Sequence, residues 1–153
     1  SVKIEWIDLK AKKMKRYYFE RFYGWWKLEA IDDASMPEEK TLQEDFYTFY
    51  ERFANDSVFQ RSRVVDPLPF VAPDPDDDFQ MLETTIGKEQ WFSFQPKLPQ
   101  DVLTNTNYGQ RLDKNSRTRI IELRGFGNGF NNTLYFKCRN GEWKLTRFED
   151  MGN

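Results

Sequence analysis

The sequence predicts an α+β fold: an antiparallel sheet packed on N-terminal helices, preceded by a further three-stranded meander. Three observations point to it. Leu134 to Asp150 reads LYFKCRNGEWKLTRFED and Tyr17 to Asp33 reads YYFERFYGWWKLEAIDD, aligned without a gap at an offset of 141 − 24 = 117 positions. Each copy places a glycine in a two-residue turn between runs rich in aromatic and branched side chains. Between the copies lies a segment whose aromatic residues recur at helical spacing.

Extending the match to residues 1 to 36 against 118 to 153 gives nine identities in 36 positions: Ile4/Ile121, Glu5/Glu122, Tyr18/Tyr135, Phe19/Phe136, Gly24/Gly141, Trp26/Trp143, Lys27/Lys144, Leu28/Leu145 and Asp33/Asp150. Chance predicts about two, so the chain contains an internal repeat. Asn140-Gly141 is a strong hairpin signal because both residues accept the positive φ of a type I′ turn, and Tyr23-Gly24 takes its place in the first copy. Strand alternation puts Phe19, Trp26 and Leu28 on one face, as it does Phe136, Trp143 and Leu145, with Tyr18, Lys27, Tyr135 and Lys144 opposite. KIEWIDL at 3 to 9 and RIIELRGF at 119 to 126 add a strand before each hairpin. A period of about 117 residues suits a whole small domain rather than a solenoid unit. The expected division is residues 1–36, the C-terminal meander of a preceding, truncated repeat, and residues 37–153, a complete copy. The chain is therefore expected to be a fragment of a longer protein.

Between the copies, Ser35-Met36-Pro37-Glu38 and Thr41-Leu42-Gln43-Glu44 each have the form of a capping box, which places a helix start between 35 and 42. Leu42, Phe46, Phe49, Tyr50 and Phe53 then form one helical face, which needs a sheet to cover, and Asn55-Asp56-Ser57 ends the helix. Ser57 to Val65 reads as a second short helix. Prolines 67, 69 and 73 demote VVDPLPFV to an edge strand or a loop. The acidic run at 73 to 78 is a solvated loop: a calcium-binding loop needs ligands at alternating positions, a later bidentate glutamate and a glycine at its bend, and no glycine sits there. Phe79 to Ile86 and Gln90 to Phe94 are expected strands, with Trp91 a core anchor, and 100 to 117 is an expected loop.

Composition narrows the chemistry. Twenty-five acidic and 23 basic residues leave a net charge of −2, which gives no general attraction to nucleic acid. No apolar run is long enough to span a bilayer. The chain has no histidine, which removes Ser-His and Cys-His nucleophiles and ordinary zinc sites and leaves acid-base work to carboxylates, tyrosine or lysine. No cofactor or metal is expected. The single Cys138 shares the Phe136 face and is expected to be a buried structural thiol.

The run FYxxFxxDxxFQxxR from Phe49 to Arg63, Pro67-Leu68, Asn107-Tyr108-Gly109, and YFKxxNGxWKL from Tyr135 to Leu145 resemble a bacterial domain family of unknown function with a nuclear transport factor 2-like fold. The resemblance covers 37 to 153, and 1 to 36 through the repeat. It implies a curved antiparallel sheet wrapped around helices in a cone, often enclosing a pocket, in exported tandem-domain proteins of Gram-negative gut anaerobes. A periplasmic or cell-surface location is implied with it.

Two functions compete. The first is an exported, non-catalytic binding or interaction module for a small molecule, glycan or protein, with self-association through residues 1–36 as one route. The second is an isomerase- or cyclase-like enzyme using a desolvated carboxylate and a tyrosine in the cone pocket. Tyr108, Tyr135, Glu122 and Glu149 are the candidates for those roles, and Trp91 and Arg61 are further candidates for lining a pocket or touching a ligand. Asp56-Ser57-Val58 also resembles a short O-glycosylation signal of some gut anaerobes.

Overall fold

The computed structural model describes residues 1–36, 43–109 and 116–152. In chain order the elements are β1 (Val2–Asp8), β2 (Lys13–Phe22), β3 (Trp25–Ser35), α1 (Phe46–Asn55), α2 (Ser57–Ser62), β4 (Leu68–Pro73), β5 (Met81–Ile86), α3 (Lys88–Phe94), β6 (Val102–Asn107), β7 (Thr118–Arg124), β8 (Asn131–Arg139) and β9 (Glu142–Asp150). They form two compact units, Ser1–Lys40 with Pro99–Asn115, and Thr41–Leu98 with Ser116–Asn153. The first holds a four-stranded sheet in the order β3-β2-β1-β6, and the second a five-stranded sheet in the order β5-β4-β9-β8-β7.

The duplicated sequence folds twice into the same ribbon. Its turns use left-handed residues at equivalent positions: Tyr23 at φ 48 and Gly24 at φ 83, Asn140 at φ 53 and Gly141 at φ 79. Val2 faces Phe19 as Arg119 faces Phe136. Each hairpin slips register between equivalent residues, Tyr18/Phe19 and Tyr135/Phe136, which leaves Glu29 and Thr146 as the extra residues of two matching bulges. Thr146 Oγ1 donates to the Tyr135 carbonyl at 3.2 Å and so satisfies an acceptor at the slip.

In the second unit the apolar stripe of α1 meets this ribbon. Asp45 caps α1, its carboxylate accepting from the Thr48 backbone N–H at 2.9 Å and from the Thr48 hydroxyl at 2.8 Å. Phe46, Phe49, Tyr50 and Phe53 then crowd the Phe136 ring, with centroids 5.5, 5.7, 6.4 and 5.4 Å away, and all of these side chains are buried. A polar clamp fixes the approach. Arg63 donates to both carboxylate oxygens of Glu44 at 2.7 and 3.1 Å and to the Trp143 carbonyl at 3.0 Å. Trp143 returns its backbone N–H to Glu44 Oε1 at 3.2 Å and its indole N–H to the Glu44 carbonyl at 2.7 Å. Arg63 thereby holds α1, the end of α2 and the β8–β9 hairpin together.

The structure corrects four expectations. Gln90 to Phe94 is helical, as part of α3, because Gly87 starts a turn whose backbone N–H donates to Gln90 Oε1 at 2.7 Å. Residues 100 to 117 are not all loop: Val102–Asn107 forms β6 against β1, its polar Thr and Asn side chains disguising a strand. The proline-rich β4 lies between β5 and β9 rather than at an edge. It can do so because its parallel ladder to β9 runs through Phe70 and Val71 only, between Pro69 and Pro73, where no proline must donate. Helix α1 begins at Phe46, and Ser35, expected as a helix cap, instead ends β3, while the rest of the expected range, 37 to 42, lies outside the described residues.

Two substitutions test this packing. Phe136→Ala should destabilise the second unit by about 3–5 kcal/mol, whereas Phe19→Ala should cost less than about 1.5 kcal/mol because that ring is only half-buried; both are read from urea midpoints at unchanged slope. Arg63→Ala should cost about 3 kcal/mol by leaving the Glu44 carboxylate and the Trp143 carbonyl short of a donor, and Arg63→Lys should recover only part of it, since lysine cannot bind bidentately.

Candidate functional site

The face of β7, β8 and β9 that points away from α1 carries three of the residues anticipated for a site. Ile120 pairs with Tyr135 and Tyr135 with Arg147; Glu122 pairs with Thr133 and Thr133 with Glu149. Tyr135, Glu122 and Glu149 therefore share one polar surface. Arg147 organises it, donating from Nε to Glu149 at 2.9 Å and from Nη2 to Glu83 on β5 at 3.3 Å, with its guanidinium 5.9 Å from the Tyr135 ring centroid. Partial burial pushes the Tyr135 phenol above the ordinary tyrosine range, and the charge and hydrogen bond of Glu149 push the same way. The phenol is thus a proton-bearing donor at neutral pH.

The first unit repeats the arrangement. Tyr18 donates to Asp32 at 3.0 Å, and these are the positions of Tyr135 and Glu149 shifted by 117. Glu5, the counterpart of Glu122, is buried and accepts from Arg16 Nε at 3.3 Å and from Asn105 Nδ2 at 3.2 Å. The Arg16 guanidinium, although partial burial opposes its charge, is pushed above its ordinary value by its hydrogen bond to Glu5 and by nearby negative charge. Arg147, Glu83, Arg16 and Asp32 escaped the sequence reading. The identities Glu5/Glu122 and Tyr18/Tyr135 were the signal that could have led to them.

The other anticipated residues lie apart from this surface. Trp91 is fully buried, edge-on to Phe148 at 5.1 Å, and donates its indole N–H to Gln60 at 2.9 Å. Arg61 lies on the surface, 3.6 Å from Glu89 and over the Phe92 ring at 5.0 Å. Tyr108 is 67% exposed just beyond β6. Ser57 is exposed at the start of α2, where Asp56 caps the Val58 and Phe59 N–H groups at 3.0 Å each. The acidic run 73 to 78 is used locally, Asp74 accepting from the Asp76 N–H and Asp77 from the Phe79 N–H. Among the described residues no group of three or more carboxylate or thiol side chains could hold a metal ion, and no helix is long and apolar enough to cross a membrane. Cys138 is buried, and desolvation, helped by the charge of Glu44, raises its thiol pKa. An open pocket of about 260 Å³ in the first unit lies among Lys3, Tyr18, Phe19, Glu20 and Asn107.

The largest contrast between the two ribbons is on the apolar side. Trp143, Leu145 and Phe148 are 0% exposed, while their counterparts Trp26, Leu28 and Ile31 are 51%, 45% and 53% exposed. Trp6, on the same face of β1, is exposed as well. At the position of Cys138 the first copy has Arg21, whose guanidinium lies 5.8 Å from the Trp26 ring centroid. The hairpin tip of this bare face is thus charged, and the apolar part begins below it.

Comparison with known proteins bears on the fold. A family model described as a domain of unknown function, DUF4348, matches residues 1–150. A crystal structure of a protein from Bacteroides fragilis, described as NTF2-like, is similar with a TM-score of 0.92 and 49% identity over 99% of this chain. This chain spans 65% of the length of that protein. No curated protein matches. The likeness gives an NTF2-like fold, here mostly β-sheet with few helices, in two sheets.

The phenols supply a pH test. Burial raises the pKa of Tyr50 strongly and that of Tyr135 less, so both hold their protons more tightly in the folded chain. A raised value means that the stability these groups contribute is complete below the unfolded phenol value of about 10 and is lost as pH climbs through the folded one. Tyrosine ionisation followed by phenolate absorbance should therefore show a last-titrating group that disappears in Tyr50→Phe, and that variant should lose stability less steeply in alkali.

Proposed function

The chain belongs to the DUF4348 family of domains of unknown function, and from that premise we propose a non-catalytic interaction module of an exported protein built from tandem copies of this domain. Its docking surface is the bare apolar face of the first ribbon. The occupant is a helical segment of the α1 type, supplied by the front of the preceding copy.

One observation carries the reading. Phe136, Trp143 and Leu145, which α1 covers in the second unit, are matched by identical residues, Phe19, Trp26 and Leu28, on a face that meets water. The same ribbon in the same register therefore offers a second α1-like helix the same contacts, and leaving such a patch in solvent is unfavourable. The length of the Bacteroides fragilis relative leaves room for such a segment. Export to the periplasm or cell surface rests on the family resemblance alone.

The interior of the second unit weighs against the isomerase-like alternative. The space between α1 and the sheet is occupied by Phe46, Phe49, Tyr50, Phe53, Phe136 and Trp143. Tyr135 and Glu149 lie on the other face, where Arg147 already neutralises the carboxylate.

The test is to fuse a copy of residues 37–117 ahead of Ser1, which regenerates a complete preceding repeat in register. The Trp26 contribution to fluorescence, isolated by comparing Trp26→Phe, should move to the blue and lose most of its iodide quenching. Unchanged quenching would overturn the proposal. Protection of Trp26 in the unfused chain by soluble oligosaccharide would instead identify a glycan surface and would also overturn it.

A further inference from the structure

We infer that β7 pairs along its outer edge with the strand that precedes β1 in the whole protein, so that neighbouring repeats exchange their β6 strands. The inference rests on the tandem reading above and names a second contact within it.

The equivalence of β1 and β7 makes the difference in their neighbours informative. Strand β1 has a partner on each side, β2 and β6, whereas β7 ends its sheet with β8 as its one neighbour among the described residues. The β6 ladder runs antiparallel from Lys3↔Asn107 to Asp8↔Val102. Shifted by 117, the equivalent ladder on the second ribbon, with no partner strand among the described residues, extends from Ile120 to Gly125. Yet β6 directly precedes β7 in sequence and could have formed a local hairpin with it. It joins the other ribbon instead, anchored by Leu9 N–H to the Asp101 carbonyl at 3.0 Å and by Lys10 to the Asp101 carboxylate at 2.7 Å.

The side chains point the same way. Glu5 on β1 accepts from Asn105 of β6 at 3.2 Å. Its identical counterpart Glu122 lies at the same place on β7, exposed beside Arg124, and can accept the amide of an incoming asparagine. Ile120, 53% exposed, would be half-covered by the same strand. An unpaired edge is a ready template for an incoming strand. If a strand before β7 crosses to β1, the equivalent strand before β1 completes the exchange by crossing to β7.

Hydrogen exchange in the fusion of residues 37–117 to the intact chain decides this. Amides of β7 should exchange more slowly than in the unfused chain by about tenfold or more. Placing prolines at Thr104 and Thr106 of the upstream copy alone should abolish that protection while leaving β1 protected. The same prolines in the downstream copy should expose β1 and spare β7. The reverse pattern, in which downstream prolines expose β7, would mean that each repeat keeps its own strand and would overturn exchange, as would β7 amides equally fast with and without the fusion. Trp26 quenching reports the helical cover separately, so protected β7 with an uncovered Trp26 would sink the docking proposal and leave strand exchange standing. Should the fusion fail to fold, a copy of residues 100–117 placed ahead of Ser1 provides the strand alone and is read by the same amides.

Discussion

The second unit depends on the fork of Arg63 in the carboxylate of Glu44. Each partner is bound to something else that must be held: Arg63 to the Trp143 carbonyl, Glu44 to the Trp143 amide and indole. With both terminal guanidinium nitrogens engaged and the Arg63 side chain only 12% exposed, the pair is directional enough to set where α1 begins and how its aromatic stripe meets the sheet. The Arg63 guanidinium also lies 4.6 Å from the Phe59 ring centroid and 5.7 Å from that of Phe49, so the charge is screened by rings rather than by water. The backbone reinforces the clamp, with Leu145 N–H donating to the Arg63 carbonyl at 2.8 Å and Val65 N–H to that of Leu145 at 3.1 Å. Those two bonds join the end of α2 to β9 and lead the chain into β4.

The two ribbons separate local from tertiary determinants. Turn, register and bulge coincide between copies that share a quarter of their residues, so these properties follow from the few shared positions around Gly24 and Gly141 and from strand alternation. Burial does not coincide. Trp26 and Trp143 occupy the same place on the same scaffold, one in water and one sealed, because burial is decided by what lies on top. The polar face shows the converse: Glu5 is enclosed by Arg16 and Asn105, while Glu122 meets solvent with Arg124 alongside.

What could be read in advance follows this division. Both hairpins, the facing of Phe19 and Phe136, the stripe of α1 and the burial of Cys138 were legible because each is encoded within a few residues of itself. The helix α3 was not: Gln90 to Phe94 contains Trp and Phe suited to either state, and the deciding bond, from the Gly87 N–H to Gln90, is a side-chain choice. Strand β6 escaped because Thr104, Asn105 and Asn107 become strand residues only against a partner a hundred positions away. For the polar surface, Tyr135, Glu122 and Glu149 could be nominated from residue type, but their union through Arg147 depends on the bulge, which brings Arg147 rather than Thr146 opposite Tyr135.

That bulge has a consequence for how the domain can change over time. Because Thr146 is left unpaired, the strand after it keeps the phase of the strand before it, so Phe148 points into the core and Glu149 away from it. Pairing Thr146 regularly with Tyr135 would reverse the two for the rest of the strand and bring a carboxylate beneath the Trp91 and Phe70 rings, whereas losing Thr146 would leave a regular ladder, and the Gly125–Gly129 bend before β8 could lengthen without inverting any side chain. Length changes in the lineage should accordingly collect at that bend and at the bulge itself, where Thr146 can be lost without inverting a side chain, and the same should hold for Glu29 in the first ribbon.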